Sequence, residues 1–230
     1  MLIPLAENLW EVSRPLKAPG LRIDHRMSVV RLSTGELLVH SPVELDGQLD
    51  GALASLGPVR HLVAPSTFHD LYWLAWFARY PQATFWGVPG LREAHPELPF
   101  HQLLNPDQPT PWEAELPKLL IAGMPKLNEY VFFHSATRSL IVADLVFNFS
   151  TDQNLLGKLF LKANACYGKV ACSRLFRAFI KDRNAFRQSV EKLMEWDFER
   201  IVVGHGKIVP TGGKEVLAEV LLASRRVDNR

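Results

Sequence analysis

His69 and Asp70 stand side by side in the stretch VAPSTFHDLYW, after a short apolar run and before an aromatic one. A carboxylate of a different kind, Asp144, sits in SLIVADLVFNF, where every neighbour from Leu140 to Phe149 except Asn148 is apolar or small. His205 lies in VVGHGKIVP, between two glycines at the end of another apolar run. Imidazole and carboxylate from loops that follow strands are the donors that zinc, iron and manganese sites use. A carboxylate in an apolar strand is also costly unless it is paired or binds a cation. Glycine on both sides of His205 allows a sharp turn and a close approach to the imidazole.

Each of these residues has a structural reading beside the chemical one. Asp144 suits a helix N-cap or a buried pair with an arginine, and His205 suits an exposed turn. Asp70, Ser66 or Thr67 could cap a helix that begins near Leu71, leaving His69 uninvolved. His134, at a strand end before a turn, is expected to face solvent. His25, His40, His61, His95 and His101 show no ligand spacing and read as surface or packing residues.

The elements that must position these groups are legible in outline. With 230 residues, 47% of them hydrophobic and 22% charged, the chain suits one globular domain spanning residues 1–230. A formal net charge of +2 gives no global reason to expect nucleic acid or an anionic membrane as partner. Two cysteines, Cys166 and Cys172, fit neither a disulfide framework nor a zinc knuckle and read as reduced thiols. The N-terminus shows no signal-peptide pattern and no run is apolar enough to span a membrane, so the expected location is the cytoplasm.

Alternating runs and turn residues predict a hairpin pairing Val29 to Leu32 with Leu37 to His40, and the order continues as helix, strand, helix, strand to about residue 90. Residues 101–117, rich in Pro and polar side chains, read as a surface connection. KLLIAG, EYVFFHS and SLIVADLVFNF form a second meander. Residues 153–196 are expected to be helical, with Leu175, Phe176, Phe179, Ile180, Phe186, Val190, Leu193 and Met194 on an apolar face. A last strand, RIVVGHGKIV, precedes a last helix, KEVLAEVLLASRRV. Between Gly157 and Arg187 eight Lys and Arg face a single acid, Asp182. Such a run is either a solvated face or a flank for anions or a membrane surface.

Together these pieces resemble the metallo-β-lactamase superfamily from about Asn8 to Val209, in a branch whose metal signature is degenerate. MSVVRLSTGELLVHSPVEL is similar to the opening hairpin, VRHLVAPSTFHDLYW to the strand and loop of the His-x-His-x-Asp-His signature, SLIVADLVF to the strand of the bridging aspartate, and RIVVGHG to the closing Gly-His strand. The resemblance implies an α/β fold, a four-layer αβ/βα sandwich with its site at one edge of two sheets. It also places His69 where the signature has Asp, Asp70 where it has its last His, and Met124 where a middle histidine is usual. The ligand-type side chains left are His69, Asp70, Asp144 and His205.

The function this implies is a metal-dependent hydrolase with one divalent ion, zinc first and iron or manganese next, held by His69, Asp144 and His205. Asp70 would serve as base or further ligand. The substrate would be a small ester, thioester, lactone or phosphodiester, anionic if the basic segment flanks the site. The alternative is a fold kept without efficient catalysis, acting as a binding or scaffold protein. Nucleic acid is not expected as a partner, and oligomeric state is left open.

Overall fold

The computed structural model describes residues 1–16, 18, 20–99 and 101–222. Its first sheet has seven strands in sequence order: β1 (Ile3–Ala6), β2 (Leu9–Leu16), β3 (Ile23–Arg31), β4 (Leu37–His40), β5 (Val59–Val63), β6 (Thr84–Gly87) and β7 (Gln102–Leu103). β1 to β4 are antiparallel. From β4 onward the strands run parallel, joined by α1 (Gly47–Leu56), α2 (Trp73–Arg79) and α3 (Leu91–Ala94). The second sheet has the order β11 (Arg200–Val202), β10 (Ser139–Ile141), β9 (Tyr130–His134), β8 (Lys118–Leu120). Helices α4 (Leu155–Ala163), α5 (Arg174–Arg177) and α6 (Arg183–Leu193) precede β11, and α7 (Gly213–Leu222) follows it.

The period of two along β9 shows how the layers assemble. Tyr130 and Phe132 join Val29, Val39, Leu62 and Phe85 of the first sheet in one core, while Val131 and Phe133 turn the other way to meet Phe186, Val190 and Leu217 of α6 and α7. Ile141 and Val202 follow the inner set, Leu140 and Ile201 the outer. On the first sheet, α1 and α2 contribute Leu49, Leu53, Trp73 and Trp76 to the same core. The result is helix, sheet, sheet, helix, the sandwich expected from the sequence.

Local chemistry explains most element ends. Asp46 caps α1 by accepting from the Leu49 N–H at 2.7 Å, and Asp182 caps α6 by accepting from Asn184 and Ala185. The helix expected from Leu71 begins two residues later, because Tyr72 adopts a left-handed φ of 68° and no side chain caps it. Residues 101–117 are more than a surface connection, since Leu104, Trp112 and Leu116 reach the core. The helical segment 153–196 is three helices, interrupted where Phe147 pairs with Ala171. Leu175 does not share the buried apolar face expected of it and is 57% exposed. The predicted last helix is present as far as Leu222, and its remaining residues lie outside those described.

Candidate metal centre

Three loops deliver three side chains to one point. The first leaves β5 and is sewn to both sheets: Ala64 N–H donates to the Trp86 carbonyl of β6, Tyr130 N–H of β9 donates to the Pro65 carbonyl, and Thr67 N–H donates to the Leu127 carbonyl. It ends at His69, whose own carbonyl accepts from the Trp73 indole N–H at 3.1 Å. Asp144 lies just past β10, where Val142 N–H still donates to the Val202 carbonyl. His205 sits in the turn after β11, and Arg26 N–H of β3 donates to the carbonyl of its neighbour Gly204 at 2.8 Å. At Gly206, φ is 93° and an added Cβ would lie 2.3 Å from the Asn148 carbonyl oxygen. That approach is what the flanking glycine permits.

At the point of convergence His69 Nε2 lies 3.5 Å from Asp144 Oδ2, and His205 Nε2 lies 3.3 Å from Asp144 Oδ1. One ligand-type atom from each residue falls within 4.8 Å of the other two. The far sides of both rings are occupied. His205 Nδ1 is 2.7 Å from the Asp24 carbonyl, which can only accept, so Nδ1 carries the proton and Nε2 presents its lone pair toward the carboxylate. His69 Nδ1 meets the Ser41 hydroxyl, and His69 Nε2 is buried with no hydrogen-bond partner.

The electrostatics call for positive charge. Burial alone would raise the Asp144 carboxyl, but the two histidines beside it hold it well below the usual carboxylate range. Burial alone would lower His205, yet the Asp144 carboxylate and the Asp24 carbonyl raise it. A lone pair facing a carboxylate needs a cation between them, either a proton or a metal ion. The two contacts run to different carboxylate oxygens and, at 3.5 and 3.3 Å, are longer than charge-assisted hydrogen bonds of about 2.7–2.9 Å, so the cluster has room for either cation. The orphaned His69 nitrogen and the N,N,O donor set suit a borderline divalent metal.

Sequence reasoning singled out His69, Asp144 and His205, and these are the three that meet. Asp70 is not in the group: its Oδ2 lies 2.9 Å from His95 Nε2, and it lines a cavity of about 420 Å³ with Tyr72, His95, Glu97 and Leu98. The chain bends between His69 and α2, so adjacent side chains diverge. Met124 is packed in the outer core. His134, expected at the surface, is buried and its Nδ1 contacts the Thr137 hydroxyl at 2.7 Å.

Three residues at the centre went unrecognised. His25 of β3, set aside as packing, has its ring centroid 4.9 Å from that of His69 and 5.7 Å from that of His205. Its Nε2 donates to the Pro42 carbonyl at 3.2 Å, and burial together with the two neighbouring histidines lowers it to about 2, so it is neutral. Ser41 joins His25 to His69. Glu129, fully buried, accepts from the backbone N–H groups of Ala143, Asp144 and Leu145. Burial and the charge of Asp144 push its carboxyl up, against the pull of those donors. The available signal for Glu129 was an acid immediately before the aromatic and apolar run Tyr130 to Phe133.

A sandwich of this layering is an α/β fold of metallo-β-lactamase type, and solved structures agree. The chain superposes on the DIM-1 metallo-β-lactamase exposed to ceftazidime with a TM-score of 0.67 at 14% identity, over 96% of this chain and 94% of that one. The metallo-β-lactamase from Pontibacter korlensis gives 0.66 at 12% identity, over 96% of each chain. FIM-1 from Pseudomonas aeruginosa, in its mono-zinc form, gives 0.63 at 12% identity, over 96% and 94%. At such identities the likeness establishes the fold. By sequence, residues 7–169 match the model of the domain of unknown function DUF4336, and the chain belongs to that family. No curated protein matches it in sequence.

Proposed function

We propose that His69, Asp144 and His205 hold one divalent metal ion, zinc before iron or manganese, and that the protein is a metal-dependent hydrolase of a small-molecule substrate. The observation that carries this reading is the pair of 3.5 and 3.3 Å separations between two histidine Nε2 atoms and one carboxylate, with one of those nitrogens otherwise orphaned. When bound, such an ion supplies Lewis acidity and a means of activating water near neutral pH.

The chain's own groups account for the rest of the site. Ser41 and the Asp24 carbonyl fix the orientation of the two ligand rings from behind, as outer partners of metal-binding histidines do. Phe147 stacks on His205 at 5.9 Å between centroids and keeps water from that side. Asp70, paired with His95 in a cavity that none of the three ligand side chains lines, takes no part in holding the ion. An ester, thioester, lactone or phosphodiester is the substrate class. The mono-zinc form of FIM-1 supports a single ion in this fold.

The test is elemental analysis of protein purified without a histidine tag, for the wild type, Asp144→Ala and His205→Ala. The expected result is about one equivalent of metal, lost in both variants. A wild type that takes up no metal after reconstitution refutes the hydrolase reading and leaves a fold kept for binding.

A further inference from the structure

Helix α4 turns a leucine-rich face outward. Leu155, Leu156, Leu159 and Phe160 are 71%, 69%, 57% and 48% exposed, whereas Gly157 and Leu161 on the opposite side are buried. At about 100° per residue the four exposed side chains occupy one arc about 140° wide, and Lys158 and Lys162 fall along one flank of it. The helix is firmly seated. Asn154 accepts from the Gly157 N–H at 2.8 Å, and Gln153, through its side chain, exchanges hydrogen bonds with the backbone of Arg22. The exposed leucines are therefore part of an ordered element.

The patch continues onto α5, whose first N–H, that of Arg174, donates to the Asn164 carbonyl and brings the 57% exposed Leu175 alongside. Charge is concentrated in the same place. From residue 153 to 181 the sequence holds four lysines and two arginines and not one Asp or Glu, in a chain whose net charge is only +2.

We propose that α4, with the start of α5, is a membrane-surface element that docks the protein on an anionic bilayer. An amphipathic helix with leucine and phenylalanine on one face and lysines at its margin is the form that lies in the headgroup region of such membranes. Charge complementarity selects this occupant over a second copy of the chain, because a two-fold contact would set the same cationic segment against itself. The docked face is also coupled to the candidate metal centre. Leu161 packs in a small core with Phe149, Ile23 and Phe147, and Phe147 is the ring that stacks on His205. The proposal stands whether or not the centre binds metal.

Co-sedimentation with vesicles of phosphatidylcholine alone, and with phosphatidylglycerol added, tests it for the wild type, Leu155→Ser/Leu159→Ser and Lys158→Glu/Lys162→Glu. All four side chains changed across or beside the face point to solvent, and unchanged thermal melts confirm folding. The expected result is salt-sensitive binding to the phosphatidylglycerol vesicles only. The leucine pair should weaken it by at least about tenfold, and the lysine pair by at least about fivefold. Wild-type protein that stays in the supernatant with anionic vesicles at low salt overturns the proposal. So does binding that survives the leucine pair, or a dimer that the leucine pair turns into monomer with no vesicle binding at all.

Discussion

Replacing Glu129 by Gln tests whether the Asp144 loop hangs on a buried negative charge. Glu129 Oε1 accepts from the Ala143 N–H at 2.9 Å and the Leu145 N–H at 3.1 Å, and the Asp144 N–H is shared between Oε2 at 3.1 Å and Oε1 at 3.2 Å. A glutamine keeps one carbonyl oxygen, so it can serve at most two of the three donors, and its NH2 group then faces the third. The stranded N–H costs about 1–3 kcal/mol, and turning two charge-assisted bonds into neutral ones costs about 1 kcal/mol each. The sum is roughly 3–5 kcal/mol. In a chain of this size that lowers the melting temperature by about 6–20 °C. Urea and thermal unfolding of metal-stripped wild type and variant at about pH 9, above the value of about 8 to which burial and Asp144 push the Glu129 carboxyl, followed by circular dichroism, read the effect without involving any ion. A loss under about 1 kcal/mol refutes the reasoning, because it means the buried carboxyl is already neutral and an amide replaces it without cost.

Two further outcomes follow from the same geometry. Gly206→Ala forces a Cβ against the Asn148 carbonyl oxygen at 2.3 Å in a left-handed turn and should cost roughly 2–6 kcal/mol in chemical denaturation. Gly35→Ala, with φ of 82° but nothing within 4 Å, should cost only about 1 kcal/mol, and equal costs would show that close approach is not what fixes the His205 turn. His95 should titrate above its ordinary 6.5 in an NMR pH series: burial works to lower it, but Asp70 and Glu97 raise it. The stabilisation this pair gives is complete below pH about 6.5 and fades as pH rises through the raised value. Asp70→Asn should bring the titration down, and an unchanged midpoint would show that the contact is absent in solution.

What the sequence made legible was periodic or bracketed by turn chemistry. The hairpin appears as expected, with Val29 opposite Val39 and Val30 opposite Leu38, because alternation and a Gly turn both specify it. Asp144 and His205 were visible because each breaks an apolar run, which costs free energy unless something compensates. Trp112 and Leu116 were hidden because isolated apolar residues among prolines carry no period, though both are buried. His25 was hidden for a different reason. It stands in β3 and reaches His205 only because the chain closes a loop of some 180 residues, as the bond from His205 to Asp24 does. No local pattern encodes that distance. Asp70 shows the converse error: adjacency to His69 suggested a shared task, and one bend in the backbone sends His69 toward Asp144 and Asp70 toward His95.

The same long-range closure ties the candidate centre to the fold as a whole. His69 is placed by hydrogen bonds from its loop to β6, to β9 and to the turn at Leu127, so its position needs both sheets. Asp144 is placed by Glu129, which precedes β9, and His205 by Arg26 and Asp24 of the first sheet. Arg26 itself is held by a buried pair with Glu11 at 2.7 Å and donates a second bond to the Val203 carbonyl at 2.6 Å. None of the three side chains is in place until the two sheets have packed. An ion bound there would therefore favour the closed sandwich over every partly open form, by an amount set by its affinity and concentration. That coupling would give a metal-bound cluster a structural role in addition to the chemical one proposed for it. It also explains why so many buried polar bonds, from Glu11 through Arg26 to Glu129, surround three side chains.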